Sequence, residues 1–409
     1  MLTRDTVQVE EGEWAEDDTF TGVCAVTYPN GDKYRGEVVK SIREGKGRYT
    51  YAQGEVYDGE WREGRKEGKG KMHYSDDSCY EGDWRINQRA GQGKCIYSNY
   101  DQYEGGWRED KMDGKGVYTF SDGRVYTGIF TAGEMTGEGM LTLPNGDTYT
   151  GNLNKGRPEG KGVYVYSNGE RYDGQWVEGT MSKGTFYFKS GDAYEGEWRD
   201  GKMEGYGVYI YMNGEKYEGE WRAGRKEGHG KMHYINGDIY DGGWVSDTKG
   251  GQGEYIGQSG VHYLGQWADG FIQGKGEIRY PDGSKYSGAF SMQMAEGEGK
   301  LETVEGEGYE GGWAGNQREG MGVYSKDGMK IKGKWAGDRV EGKVEIEFVS
   351  GDKYSGILVD NKMAGEGTYT FTNGDVYTGH FEKGEIHGEG KVMYANGDEY
   401  VGSFRQGKI

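Results

Sequence analysis

One phrase recurs through almost the whole chain. Residues Tyr57 to Tyr80 read Y-D-G-E-W-R-E-G-R-K-E-G-K-G-K-M-H-Y-S-D-D-S-C-Y, and variants of this stretch follow one another along 409 residues. The skeleton is Tyr57, Gly59 and Trp61, then Gly64 in a connection, then Gly68, Gly70 and Tyr74, with the next copy starting at Tyr80. Equivalents of Tyr57 run from Tyr34 to Tyr400, seventeen in all with Ile331 standing in once, and they step by 23 residues apart from two steps of 22. A fixed period of this size makes each unit one supersecondary element that buries its apolar face only against its neighbours. Length alone would suggest two or three domains, but uniform repetition overrides that expectation.

Within a unit the named residues fall two apart, which is the periodicity of a strand with one selected face. Tyr57, Gly59 and Trp61 share one side, and Gly68, Gly70, Met72 and Tyr74 share one parity on the next strand. The alternate positions, Asp58, Glu60, Lys69, Lys71 and His73, are polar and opposite in sign across the two strands, as cross-strand ion pairs on a wet face would be. Between units stands Asn30-Gly31, Asn145-Gly146, Asn396-Gly397 or a close relative, which suits a two-residue turn needing positive φ. Pro29, Pro144 and Pro281 immediately precede such dipeptides, where a strand ends and a missing N–H is tolerated. Glycine recurs too often for a helix interior and no long 3.6-residue period exists, so no helix is expected.

The expected fold is all-β: an elongated single-layer array of successive antiparallel hairpins, forming one twisted open sheet with an aromatic groove. Seventeen two-strand units at ~4.8 Å per strand would reach roughly 160 Å if straight. Residues 1–33 read as a degenerate first unit, with Glu10, Gly12 and Trp14 in place of the Tyr-Gly-Trp set, and 34–409 as a continuous array. Glycine contributes 81 residues, far above the usual ~7%. Its packing role would be to leave a slot in which a ring lies against bare backbone. Apolar residues are only 33%, but aromatics are 14% and recur in register, so the core is expected to be built from rings. Isolated units should not fold.

The phrase Y-x-G-x-W-x-x-G-x-x-x-G-x-G-x-x-x-Y-x-x-G-x-x-Y resembles the MORN repeat, the membrane occupation and recognition nexus, over residues 34–409. The resemblance implies a hairpin-stacked sheet serving as scaffold, dimeriser or targeting module, like the cytoskeletal and ciliary scaffolds of radial spoke heads and basal complexes. Departures are local: Ile331 for the anchor Tyr, Val344 for the second Gly, and Gly257 and Thr303 for the closing aromatic. One residue is missing between Gly179 and Gly184 and one between Lys326 and Ile331, where a change of twist is expected. Trp61 to Tyr74 recurs almost unchanged as Trp221 to Tyr234, which points to multi-unit duplication.

Catalytic and ligand chemistries find little support. Gly-x-Gly recurs, but there is no Gly-x-x-x-x-Gly-Lys-Ser/Thr and no helix N-terminus to receive phosphate. The phase-locked Asp32, Asp147, Asp238, Asp352, Asp375 and Asp398 lack the nonapeptide rhythm of calcium-binding β-solenoids and read as turn chemistry. The six histidines form no His-Glu-x-x-His and no familiar zinc spacing, and no Ser or Cys stands in a nucleophile elbow. No cofactor, metal or catalytic residue is assigned, and the protein is expected not to be an enzyme. A formal charge of −19 repels phosphate backbones within a Debye length of ~8 Å, which excludes nucleic acid as a natural partner. Three cysteines without paired spacing, no N-glycosylation acceptor and no signal-like run point to an intracellular protein.

What a single-layer sheet cannot do is cover its own apolar face, and exposed strips of more than a few hundred Å² usually mark interfaces. The expected partner groove comprises Tyr57, Trp61, Tyr74, Tyr80, Trp84, Tyr103, Trp107, Tyr217, Trp221, Tyr234, Tyr240 and Trp244. The last units, with Tyr377, Phe381, Tyr400 and Phe404, offer an edge for a homodimer. The favoured function is a non-enzymatic scaffold for other cytoskeletal or axonemal proteins, located in the cytoplasm, the cytoskeleton and the axoneme of a cilium or flagellum. Membrane tethering at a membrane–cytoskeleton boundary is the alternative, which the net charge disfavours.

Overall fold

The computed structural model describes residues 7–408, and among them every regular element is a β-strand, thirty-five in all. They fall into two units, residues 1–202 and 203–409. In the first, consecutive strands from Val7–Trp14 to Ala193–Arg199 pair antiparallel. The second repeats this plan from Lys202–Ile210 to Glu399–Phe404. Each unit is thus a single-layer meander, as the period-2 patterning requires. At the start of the first, Val7–Trp14 pairs with Phe20–Thr27 and sets Gly12 opposite Gly22.

The anchor tyrosine and the glycines explain one another. Strands Val56–Arg62 and Arg65–His73 place Gly59 opposite Gly70, and the Tyr57 ring lies flat over both. A Cβ on Gly59 would sit 2.6 Å from Tyr57 Oη, and one on Gly70 only 2.3 Å from it. The slot is therefore filled by the ring of the residue two places earlier on the same strand. Beyond the glycine pair the register slips: Trp61 faces Lys66, so the second strand carries two extra residues and Gly68 turns to φ +63. A bulge takes a carbonyl out of the ladder, and Tyr57 Oη donates to the Glu60 carbonyl oxygen there, at 3.0 Å. The same tyrosine-to-third-residue bond recurs at Tyr34, Tyr80, Tyr149, Tyr240 and Tyr377 among others.

The Asn-Gly junctions are not the two-residue turns that the sequence suggests. They are three-residue turns: Gly31 N–H donates to Tyr28 O and Tyr28 N–H to Asp32 O, and only Gly31, at φ +88, is left-handed. This is a type I turn closed by a left-handed residue, and Pro29 occupies its second position, where a fixed φ near −65° fits. The two-residue turns lie inside each unit, where Arg62 pairs with Arg65 around Glu63 and Gly64, both at positive φ (49° and 75°). Asp110 at φ 64 and Asn316 at φ 68 hold the place of Gly64, since Asn and Asp tolerate this conformation best after glycine.

Both single-residue losses are absorbed within one connection. Between Lys326 and Ile331 a three-residue turn becomes a two-residue one, with Lys326 paired to Met329 and Gly322 still opposite Gly333. Between Gly179 and Gly184 the bulge gives up one residue, so Trp176 faces Met181 while Gly174 still faces Gly184. The substitutions at 331 and 344 also belong together. With Ile331 in place of the tyrosine no ring covers the slot, and Val344, 1% exposed, fills it from below, 3.0 Å from where a Cβ on Gly333 would stand.

Gly70→Val is therefore expected to destabilise the protein by roughly 2–3 kcal/mol through overpacking against Tyr57. Adding Tyr57→Ile should return part of that loss by copying the 331/344 pair, seen as a recovery of the urea midpoint in the double variant.

Candidate functional site

On the ring face the tyrosines and tryptophans form an alternating edge-to-face series. Trp84 sits between Tyr57 of the preceding repeat and Tyr80 of its own, each 5.2 Å away between centroids, and Trp107 continues the pattern from Tyr80 to Tyr103 at 5.2 Å. In the second unit Trp244 lies 5.3 Å from Tyr217 and 5.4 Å from Tyr240. Each indole N–H also crosses to the previous hairpin: Trp61, Trp84 and Trp244 donate to the carbonyls of Gly47, Gly70 and Gly230. Such pairs add about 0.5–1.5 kcal/mol each to the burial of the rings.

These contacts locate the residues expected to line a groove. Tyr57, Trp61, Tyr80, Trp84, Tyr103, Trp107, Tyr217, Trp221, Tyr240 and Trp244 are buried within the chain, as are Tyr377, Phe381 and Phe404. They are the foundation of the face and show little ring surface of their own. Tyr74, Tyr234 and Tyr400 are half-buried. The accessible aromatic surface of the ring face is a row of closing residues, Tyr51, Tyr74, Tyr97, Phe120, Tyr166 and Tyr211 among them, each half-buried at the mouth of a turn, whereas Tyr100, Tyr187 and Tyr206 are exposed as single residues outside this row. Tyr51, Phe120 and Tyr166 lean on Tyr49, Tyr118 and Tyr164 of the same strand, with centroids 4.5–4.7 Å apart.

The turn aspartates tie this row together. Asp147 is buried, accepts from Asn145, from Tyr164 Oη at 2.7 Å and from the Ser167 N–H at 2.8 Å, and so bridges two successive turns. These bonds, the Ser167 backbone first, hold its carboxyl down to about 2. Asp32, Asp238 and Asp352 make the same bridge to Tyr49, Tyr255 and Tyr369. Asp101 does so too, to Tyr118 and Ser121, although Asn99-Tyr100-Asp101 lacks the glycine that marks most of the junction turns and gives no signal in the sequence.

Six cations on the ring face also escaped the sequence reading. Arg43, Lys66, Arg89, Lys226, Lys249 and Arg318 occupy the ninth position after their anchors, a place that reads as part of a polar connection. Once Glu63-Gly64 is the two-residue turn, Lys66 must face Trp61, and its ammonium lies 4.5 Å from the Trp84 ring centre and 5.4 Å from that of Tyr57. Lys249 has four rings around it, Tyr240 and Trp267 at 4.9 Å, Tyr234 at 5.1 Å and Tyr255 at 5.5 Å. Burial lowers the affinity of both amines for their protons.

The opposite face carries the expected ladder of exposed ion pairs, Arg48–Asp58 at 4.0 Å, Lys71–Glu81 at 3.3 Å and Lys94–Glu104 at 3.9 Å. Each contributes at most about 1 kcal/mol. A depression of about 730 Å³ lies on this side, beside Lys94, Glu104, Val117 and Thr127. Its place reflects the other face being filled by its own rings. Among the described residues no three His, Cys, Asp or Glu side chains converge as metal ligands, and no helix is long and apolar enough to cross a membrane.

A layer of hairpins locked by ring-over-glycine packing, with a half-exposed aromatic row along one face, defines a repeat scaffold. The MORN repeat model matches fourteen segments, beginning with 34–56, 57–79 and 80–102 and ending with 309–330, 354–376 and 377–399. The chain belongs to the MORN repeat family, one of scaffolds for protein or membrane interaction. No curated protein matches it. Among solved structures it is similar to a mutant TCP10 domain of Danio rerio CPAP, at 13% identity over 54% of this chain and 92% of that one, with a TM-score of 0.23. It is also similar to the SAS-4 (dCPAP) TCP domain of Drosophila melanogaster in complex with a proline-rich motif of Ana2 (dSTIL), at 12% identity, 49% and 85% coverage and a TM-score of 0.15. Neither likeness bears on what this chain does.

The buried phenols make stability depend on alkaline pH. Burial pushes Tyr103, Tyr149, Tyr172, Tyr263 and Tyr286 up to about 12, whereas an unfolded tyrosine ionises near ~10. A raised folded value means that the stabilisation is complete below about 10 and is lost as pH climbs toward about 12. Phenolate absorbance is expected to rise late and steeply in this window, together with loss of β-sheet circular dichroism.

Proposed function

We propose that this chain is a non-enzymatic scaffold that holds protein partners along its ring face within a cytoskeletal assembly, most naturally an axonemal one of the radial-spoke-head kind. The observation that carries the reading is the row of half-exposed closing aromatics on a buried Tyr–Trp foundation, which no other element covers among the described residues. Rigid rings lose little conformational freedom on contact and suit a surface that binds by side-chain packing. A chain built from one repeated unit, with a net charge of −19 that opposes anionic lipid, supports a structural place in the cytoplasm, cytoskeleton or cilium over a membrane one.

Tyr74→Ser with Tyr234→Ser removes two half-exposed rings and leaves the buried series intact. The double variant is expected to melt within a few degrees of the parent and to lose at least half of the proteins captured by proximity labelling in the native cell. An unchanged labelling pattern, or robust pelleting of the parent with anionic vesicles at physiological salt, would displace this reading.

A homodimer through the units of Tyr377 and Tyr400 belongs to the same proposal. Because Tyr377, Phe381 and Phe404 are already buried, the backbone edge of strand Glu399–Phe404 would have to supply the contact. A chain ending at Gly356 is expected to scatter light as a monomer, with the full chain at twice the monomer mass.

A further inference from the structure

The ring-face cations differ in what answers them. Arg89 is held by Asp110 of the next two-residue turn, through Nε at 3.2 Å to Oδ1 and a second bond to the carbonyl, and Arg318 by Asp338 in the same way. Lys226 meets Asp247 of the next turn, whose Oδ1 accepts from the Lys226 backbone N–H at 2.8 Å, while its ammonium donates to Tyr211 Oη at 3.0 Å. At the corresponding place Arg43 meets Gly64, Lys66 meets Asn87 and Lys249 meets Gly270. Arg43 donates to the Gly64 carbonyl at 2.7 Å, lies 4.2 Å from the Trp61 ring centre and acts on Asp32 from farther away. Lys66 and Lys249 have ring faces for company and no carboxylate within ion-pair distance among the described residues; Asp110 and Glu55 act on Lys66, and Asp238 on Lys249, from farther away. Three repeats therefore keep the cation and omit the acid that accompanies it elsewhere, and two of them are consecutive.

The spacing identifies the ligand class. Equivalent residues of consecutive repeats are two strands apart, about 9.6 Å. A polyproline II segment rises about 3.1 Å per residue with three residues per turn, so every third side chain points the same way at about 9.3 Å. A β-strand alternates faces every residue and offers no same-side pair near this distance. Half-buried Tyr28 and Tyr51 lie beside the two cations, the Lys66 ammonium 5.8 Å from the Tyr51 ring centre, and flat rings are what proline faces pack on. We propose that the ring face over Arg43 and Lys66 binds an acidic, proline-rich segment in the polyproline II conformation, its carboxylates three residues apart and seated on these two cations. The inference rests on the ring face being the partner surface and specifies which partner fits it.

The probe is a fluorescent peptide Pro-Glu-Pro-Pro-Glu-Pro, compared by anisotropy on the full chain with its Gln analogue and with an isomer whose glutamates are two apart. The Glu peptide is expected to bind about tenfold or more tighter than either control, since charge-assisted contacts are lost in both, and the advantage should shrink at high salt. Gly64→Asp with Asn87→Asp installs the resident acids that Asp110 and Asp338 already show to be compatible with the fold, so it should keep the melting temperature and abolish the preference. Lys66→Gln should weaken binding in the same direction. Equal binding of the Glu and Gln peptides, sensitive to Tyr51→Ser, would overturn the acidic assignment and leave the ring-face reading standing. A preference that survives Gly64→Asp with Asn87→Asp, or failure of every peptide to bind, would also overturn it. So would phosphatidylserine vesicles bound by the parent and released by that double variant, which would assign the two cations to lipid phosphate.

Discussion

The structure depends on one contact, an anchor tyrosine laid across a pair of glycines. Everything else in the repeat follows from making room for that ring and using its two ends. The ring needs bare backbone beneath it on two strands, which fixes Gly59 opposite Gly70 and so fixes the register of the hairpin. Its hydroxyl needs an acceptor, and the bulge beyond the glycine pair frees the Glu60 carbonyl. Its edges need neighbours, and the tryptophans before and behind supply them. The repeat where the tyrosine is absent shows the converse, since Ile331 comes with Val344 where glycine otherwise stands. A chain with few aliphatic residues can hold a sheet in this way because each ring is used from several sides at once.

Much of this was legible in the sequence. The 23-residue step, the period-2 pattern and the in-register aromatics gave the hairpin array, the ring face and the wet face directly, because each follows from the alternation of side chains along a strand. The turns were misassigned because Asn30-Gly31 and Glu63-Gly64 both end in a left-handed glycine, and a two-residue and a three-residue turn differ only in whether the residue before that glycine is left-handed as well. That error propagated. With the tight turn placed at the wrong junction, Lys66 and its equivalents appeared to be connection residues, and the cations of the ring face were overlooked. The groove residues were chosen for being aromatic and periodic, which selects the foundation as readily as the surface; pattern alone does not separate buried Tyr57 from half-exposed Tyr74. Asp101 was missed because Tyr100, left-handed at φ 69, stands where glycine was the expected marker.

The acidic residues divide by position into two physical roles. Those at the turns, such as Asp147, are bound into hydrogen-bond bridges between hairpins and act as structural links. Those on the opposite face form exposed pairs that contribute little to stability and keep that surface hydrated. A strongly negative chain can therefore still carry basic side chains among the rings, some answered by a neighbouring aspartate and some not.

The bonds that join one hairpin to the next all reach back only a short way. The tryptophan donors span 14 residues, the tyrosine-to-aspartate bonds 17, and the turn bridges about 20. Among the described residues no strand pairs with a segment distant in sequence. Such a chain can add hairpins one at a time as it leaves the ribosome, each new tryptophan settling against a tyrosine and a glycine carbonyl already in place. Its folding can keep pace with synthesis, in contrast to sheets whose pairing partners are translated long after the strands that need them.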